Sequence, residues 1–473
     1  DDRIRSVTRQ PYSRPLSTTM PDPHVAVLAF PFGTHAAPLF AVVRRLAAAA
    51  PRARFSFFST AASNASFLAV AGDCNGGVKL YDVWDGAPEG RPGRPHEAIE
   101  LFLTAARGEF TRSVEAAVAE TGRGVSCVVS DAFLWFAAEI AAELRVPWVA
   151  FWTSSPQALC AHLYTDAIRE HNVNEGDEGE TLDFIPGLRG VRVRDLPEGI
   201  AAAGDGGSVF AATLHQAAQT LPRAATVFVN SSQELDPPAT NALKSKLNAV
   251  LNVGPLNMNQ RIEPPPPQDP DPHGCIPWLQ AHTPASVVYV SFGSVVLPSP
   301  DDLAAVAGAL EASGVPFLWS LRDSARARLP EGFPDASGKG MVVPWAPQVE
   351  VLTSSTVGAF VTHGGWNSVL EGVAGGVPMI CRPFFGDQRL NARMVAEVWE
   401  IGVGMEGGAF TKEAVVRTLE EVLMGEQGKK MRKNVRELRE MVDKAVGEDG
   451  NSTKDYRTLS DIVVIQNGSD FRS

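Results

Sequence analysis

The sequence predicts an α/β protein of two doubly wound domains, each a parallel sheet with helices on both faces, set against each other across a cleft. Three observations carry that expectation. The chain has 473 residues, too long for one ordinary hydrophobic core, so two domains of roughly 200 residues each are expected. Continuous apolar runs alternate with amphipathic stretches along most of its length, the pattern of strands buried on both faces and of the helices that bury them. Near the middle, "NQRIEPPPPQDPDPHG" (259–274) can join neither a helix interior nor a sheet, because proline fixes φ and lacks an N–H donor. It forms a stiff linker, after which the pattern restarts.

In order, "HVAVLAF" (24–30) is a buried strand closed by Pro31 and Gly33, followed by "APLFAVVRRLAAAA" (37–50) with helical spacing. "VSCVVSD" (125–131) and "PWVAFW" (147–152) are further strands leading into helices at 133–144 and 153–164. Beyond the linker come strands at 286–294, 315–322, 340–345, 357–363 and 378–383. Helices at 300–313, 368–376 and 387–400 fall among them, and the end over 411–466 is helical and charged. The divisions that follow are a leader over 1–19, an N-terminal domain over 20–254, the linker over 255–275, a C-terminal domain over 276–450 and a closing helix over 451–473. The leader has no apolar h-region and is expected to be extraneous or disordered.

Lys and Arg number 42 against 54 Asp and Glu, a formal net charge of −12. A field of that sign disfavours nucleic acid and anionic membrane surfaces as partners, so an anionic ligand has to be held by local dipoles and a few residues. Five cysteines in no Cys-x-x-Cys spacing are expected to be reduced, buried thiols of a cytoplasmic protein. No apolar run approaches the ~20 residues of a membrane span, and a monomer is expected.

In open parallel sheets, ligands bind beyond the carboxyl ends of the strands. His35, Asp131 and Thr153 stand at such ends in the first domain and Ser294 and His363 in the second, so one ligand in the cleft could touch all five. Asp131 would serve equally as the N-cap of the next helix. Beside His35, however, a buried carboxylate holding one imidazole nitrogen leaves the other free to take a proton, which makes the pair a general base.

In "VTHGGWNSVLEGVAGGVPMI" (361–380) a strand ends, Gly364 and Gly365 turn the chain, and a helix begins near Asn367 or Ser368. Bare amides at a helix N-terminus, which carries about half a positive charge, cradle phosphate, with His363, Asn367 and Ser368 as donors. Ser368-x-x-Glu371 also fits a capping box. The P-loop Gly-Lys-Ser/Thr and the Gly-x-Gly-x-x-Gly fingerprint are both missing here, which counts against ATP by P-loop and NAD by the Rossmann turn. "DPD" (269–271) mimics a metal-binding Asp-x-Asp, but it lies in the proline linker, so neither a metal nor a cofactor is expected.

From Trp345 to Gln388 runs "WAPQVEVLTSSTVGAFVTHGGWNSVLEGVAGGVPMICRPFFGDQ". This stretch resembles the signature box of the plant UDP-dependent glycosyltransferases in its Trp-Ala-Pro-Gln opening, His-Gly-Gly-Trp-Asn-Ser-x-x-Glu core and Asp-Gln close, and the likeness extends over nearly the whole chain from Met20. The resemblance implies the GT-B fold, with the closing helix crossing back onto the N-terminal domain. It implies that Trp345 stacks on uracil and Ala346 meets its edge, while Gln348 and Glu371 take the ribose hydroxyls. His363, Gly365, Asn367 and Ser368, with Ser294, would hold the diphosphate. Asp387 and Gln388, with Trp366 beside them, would hold the sugar, and the terminal Gln favours glucose. Thr153 would touch the sugar or its phosphate. Thr34 and His35, in "PFGTHAAP" (31–38), match the family's catalytic Thr-His site, with Thr34 toward the donor, His35 as the base and Asp131 as the base's partner.

Segments 94–102, 131–136, 151–164 and 382–388 resemble those of flavonoid and anthocyanidin 3-O-glucosyltransferases. They imply a planar phenolic acceptor walled by Phe32, Phe133, His162 and Phe385, with His96 toward it. The expected reaction is inverting transfer of glucose from UDP-glucose to the 3-hydroxyl of a flavonoid. The alternatives are a glucosyltransferase for another plant phenolic or hormone, and an inactive UDP-sugar or flavonoid binding protein.

Overall fold

A computed structural model describes residues 22–71, 77–88, 95–171, 179–201, 209–258, 271–293, 295, 297–334, 338–405 and 410–464, the side chains of 67–71 and 95–96 excepted. The leader, most of the proline linker, Ser294 and the His96 side chain therefore lie outside the described residues.

Seven strands make the first sheet: β1 (His24–Leu28), β2 (Arg54–Thr60), β3 (Val78–Val83), β4 (Cys127–Asp131), β5 (Trp148–Trp152), β6 (Thr226–Val229) and β7 (Val250–Asn252). Their order is β3-β2-β1-β4-β5-β6-β7, all parallel. Six more make the second: β8 (Val287–Ser291), β9 (Phe317–Ser320), β10 (Gly340–Val343), β11 (Val357–Thr362), β12 (Met379–Cys381) and β13 (Gly402–Gly404). They run parallel in the order β10-β9-β8-β11-β12-β13. Both sheets are doubly wound. Each reverses direction beside its first strand, between β1 and β4 in one and between β8 and β11 in the other, and such switch points open the crevices in which α/β proteins bind ligands.

The strands are apolar throughout because both faces are covered. Val25, Val27 and Phe57 pack under one layer of helices and Ala26, Leu28 and Phe58 under the other. Two corresponding clusters flank the second sheet. The closing helix, Asn451–Val464, contributes Tyr456, Leu459 and Val463 to the core of the first sheet. At ~1.5–3 kcal/mol for each large apolar side chain buried, these three hold it there. Asp455 also accepts from the Asn252 amide at 2.8 Å, and the Arg45 guanidinium lies 4.1 Å over the Tyr456 ring.

Sequence periodicity misplaced parts of two helices. The helix expected over 133–144 begins only at Ala137, because Asp131 Oδ1 accepts from the Phe133 amide and turns the chain first. The stretch expected as one helix over 387–400 is an α-helix, Gln388–Arg393, followed by a π-turn at Met394–Val398. Asp271 caps the helix Cys275–Gln280, accepting from the Cys275 and Ile276 amides, each at 2.7 Å.

Candidate active site

His35 opens the helix Ala36–Ala49 just beyond β1. Asp131 ends β4, the neighbouring strand, and the register pairs Leu28 with Ser130, so the two side chains emerge side by side. His35 Nδ1 lies 2.9 Å from Asp131 Oδ2, with the carboxylate 1% and the imidazole 18% exposed. The other carboxylate oxygen is pinned by the Phe133 amide at 2.9 Å. Thr153 Oγ1 stands 3.3 Å from the same His35 nitrogen. The rings of Phe133 and Phe30, with centroids at 4.4 and 5.1 Å, brace the imidazole. A carboxylate can only accept, so Nδ1 carries the hydrogen and Nε2 is the basic nitrogen. His35 lines a cavity of about 1370 Å³ that runs between the two domains.

Across this cavity, at the other switch point, β11 ends at Thr362 opposite Ser291 of β8. His363 fills a slot between two glycines: a Cβ on Gly293 would lie 2.9 Å from its ring and one on Gly365 2.4 Å from its Nε2. Desolvation pushes His363 down to about 4, so it is neutral at physiological pH. Its Nδ1 is buried with no partner among the described residues. A bare lone pair is a smaller loss there than a bare N–H, which leaves Nε2–H as the donor. The helix Trp366–Gly375 starts directly behind, capped by Gly365 with no side-chain cap. The capping-box alternative for Ser368 is therefore not realised. Ser368 sits in the first turn and accepts from Gln348 Nε2 at 3.1 Å.

Gln348 is fixed at both ends. Its oxygen accepts from Tyr289 OH at 3.0 Å, and its nitrogen donates to Glu371 at 2.5 Å. Trp345, 52% exposed, lines the cavity, and the buried Ala346 lines it beside Trp345. The Asp387 carboxylate accepts from Asn391 Nδ2 at 2.9 Å and from Ser154 of the other domain. Burial raises its pKa, and these two hydrogen bonds offset part of the rise. Gln388 Oε1 accepts from the Phe384 and Phe385 amides at 2.8 and 3.3 Å, which leaves its NH2 end for a ligand. Among the described residues, no three His, Cys, Asp or Glu side chains converge as metal ligands.

Of the residues the sequence singled out, the cavity gathers Phe32, Thr34, His35, Thr153, Trp345, Ala346, Gln348, His363, Gly365, Trp366, Asn367, Ser368, Glu371, Phe385, Asp387 and Gln388. Asp131 lies behind His35, off the cavity wall. The cavity does not gather Phe133 and His162, expected at the acceptor. Phe133 lies beneath the His35 ring and off the cavity wall, and His162 is interior, its ring edge-on to Trp152 at 5.7 Å. Burial pushes His162 down to about 4, as for an imidazole packed in a core. Trp366 has its indole N–H committed to the Asn230 carbonyl at 2.8 Å, so it ties the domains together as well as facing the cavity. The apolar wall gains Phe30, Ile99 and Phe210. Ile99 and Phe210 come from the helices Pro95–Thr121 and Val209–Thr220, which the sequence reading had not placed.

Glu371 yields a pH prediction. Burial pushes its carboxyl up to about 7, against the smaller opposing effect of the Gln348 hydrogen bond. With Glu371 as the ribose acceptor expected from the sequence, the diol donates better to the ionised form, so binding must first remove the proton below that pH. Uridine, which carries no phosphate, should bind more tightly as pH rises from 6 to 8 and release a proton on binding. Calorimetry in buffers of different ionisation enthalpy checks this, and Glu371→Gln should flatten the profile.

Known proteins resemble this chain in sequence and in fold. Residues 252–444 match the family described as UDP-glucoronosyl and UDP-glucosyl transferase. The chain is 56% identical over 457 residues to the anthocyanidin 3-O-glucosyltransferase UFGT of Vitis vinifera, covering 95% of this chain and 99% of that one. It is 50% identical to the flavonol 3-O-glucosyltransferase of Arabidopsis thaliana, over 94% and 97% of the two. A crystal structure of a UDP-glucose: anthocyanidin 3-O-glucosyltransferase in complex with UDP superposes with a TM-score of 0.87 at 41% identity, over 93% of this chain and 99% of that one. The fold is thus that of the GT-B glycosyltransferases, and the chain belongs to the UDP-glucoronosyl and UDP-glucosyl transferase family.

Proposed function

We propose that the protein transfers glucose from UDP-glucose to the 3-hydroxyl of a flavonoid, an anthocyanidin or a flavonol, with inversion at the anomeric carbon. The observation that carries the chemistry is the 2.9 Å contact of His35 with Asp131 at one switch point, facing the glycine-lined cradle at the other. His35 Nε2 takes the acceptor's hydroxyl proton while the hydroxyl oxygen forms a bond to C1 of glucose. The bond from C1 to the β-phosphate oxygen breaks, and UDP leaves with its electron pair. Asp131 stabilises the imidazolium that forms. The amides opening the helix Trp366–Gly375, with Asn367, Ser368 and His363, stabilise the charge growing on UDP. Trp345, Gln348 and Glu371 hold the nucleoside, and Asp387 and Gln388 the sugar. Phe32, Ile99, Phe210 and Phe385 give a flat acceptor its apolar walls, and a phenol suits an imidazole base because little driving force is needed to deprotonate it.

The chain spans nearly the full length of the two enzymes compared above, whose substrates support this reading. The described cysteines, Cys127, Cys160, Cys275 and Cys381, are free and buried, which supports a cytoplasmic setting. The test is incubation with UDP-glucose and a panel of quercetin, kaempferol, cyanidin and simple phenols, with products identified by mass and linkage position. Flavonoid 3-O-glucosides of inverted configuration are expected. Turnover of only non-flavonoid phenols would remove the acceptor assignment, and UDP binding without transfer to any acceptor would make the chain a binding protein.

A further inference from the structure

Asn230 follows the last residue of β6 and is 4% exposed. Its side-chain oxygen accepts from the Leu256 backbone amide at 2.9 Å, where the chain leaves the first sheet for the linker. The fit is close: a Cβ on Gly254 would stand 2.4 Å from that oxygen. A backbone amide can only donate, so this bond decides which end of the carboxamide is oxygen. The nitrogen is thereby turned toward Asn367 Oδ1, at 3.3 Å. That contact fixes the second carboxamide in turn. The Asn367 oxygen faces Asn230, and its NH2 group is delivered to the cleft, 3.5 Å from the carbonyl of Thr34, the residue before His35. The Asn230 carbonyl also accepts from Trp366 Nε1, so the two residues that open the cradle's helix are both held from the opposite domain.

We propose that Asn230 is a positioning residue that presents the Asn367 NH2 group, rather than its oxygen, to the diphosphate of the donor. The inference rests on the reading of Asn367 as a phosphate ligand. Without Asn230 the Asn367 amide can turn over, and an oxygen facing a phosphate repels it. One domain's phosphate grip then depends on its contact with the other domain and with the root of the linker, and nucleoside binding does not.

The test compares UDP with uridine by titration calorimetry. Asn230→Ser should weaken UDP about five- to tenfold, the loss of roughly one hydrogen bond, and leave uridine within about twofold. In an Asn367→Ala background, the same change should weaken UDP by less than about twofold further, because residues that act through one another are not additive. Equal weakening of UDP and uridine would show a general structural role and overturn the proposal, as would losses that multiply. If Asn367→Ala itself leaves the UDP-to-uridine ratio unchanged, the phosphate reading of Asn367 fails and takes the proposal with it. If Asn367→Ala moves the ratio and Asn230→Ser does not, the proposal alone fails. Asn230→Asp, which keeps an acceptor for the Leu256 amide, is the second variant should the serine protein not bind uridine. Its effect on UDP with and without Asn367 is compared in the same way.

Discussion

Replacing His35 with alanine should lower the rate of glucosyl transfer roughly 10²–10⁴-fold, the usual contribution of a general base, while UDP binding stays within about twofold. The separation follows from the architecture. His35 belongs to the first sheet and touches Asp131, Thr153, Phe30 and Phe133, whereas the nucleoside and most diphosphate contacts are assigned to the second. Single-turnover rates and a UDP titration check both halves. The residual rate should depend on acceptor acidity, because a phenol ionised in solution no longer needs the imidazole. The His35→Ala protein should therefore recover activity as pH approaches the phenol's own pKa, and more acidic phenols should recover first. Asp131→Asn should share the defect, because an amide nitrogen facing Nδ1 would favour the tautomer with the hydrogen on Nε2, the wrong nitrogen. Near-normal turnover by His35→Ala at neutral pH would remove the base from the mechanism.

Much of this site was legible in the sequence, and the reason is geometric. A parallel sheet delivers its strand ends to one edge, so His35, Asp131, Thr153 and His363 could be grouped by noting which residue follows each apolar run. The cradle was equally visible, since two glycines between a strand and a helix expose amides in any context. What sequence could not supply was depth. Phe133 and His162 stand in helical and turn segments beside Phe32-like aromatics, and nothing in their spacing says which ring faces the cavity and which faces the core. The structure turns Phe133 under His35 and packs His162 against Trp152. Ile99 and Phe210 went unseen because their helices follow no clear strand signal. Asn230 was invisible for another reason. It acts through a carboxamide orientation set by an amide 26 residues away, and only coordinates bring those groups together. Ser368 shows the opposite case, a capping-box spacing that local pattern supports and tertiary structure overrides by engaging it with Gln348.

A methyl group at Gly365 should cripple donor binding without touching the nucleoside site. The backbone there, φ −62° and ψ 143°, is open to alanine, so any effect comes from space alone. The added Cβ would stand 2.4 Å from His363 Nε2, 3.1 Å from Cε1 and 3.2 Å from Cδ2. Gly293 also lies close to the ring, where a Cβ would stand 2.9 Å from Cε1, which limits the room for the ring to shift. Overpacking of this kind costs about 1–3 kcal/mol, and here it falls on the nitrogen assigned to the phosphate. Gly365→Ala should therefore weaken UDP roughly ten- to hundredfold and lower the thermal midpoint, with uridine affinity changed far less. Removing the ring removes the clash. In a His363→Ala background, where UDP is already weakened by loss of the donor, Gly365→Ala should cost less than about threefold more. The comparison of all four proteins decides between a steric effect through the imidazole and a direct effect on the ligand. A loss of the same size with and without His363 would mean that the methyl meets the diphosphate itself. An unchanged UDP affinity in Gly365→Ala would mean that the slot between the two glycines does not govern phosphate binding at all.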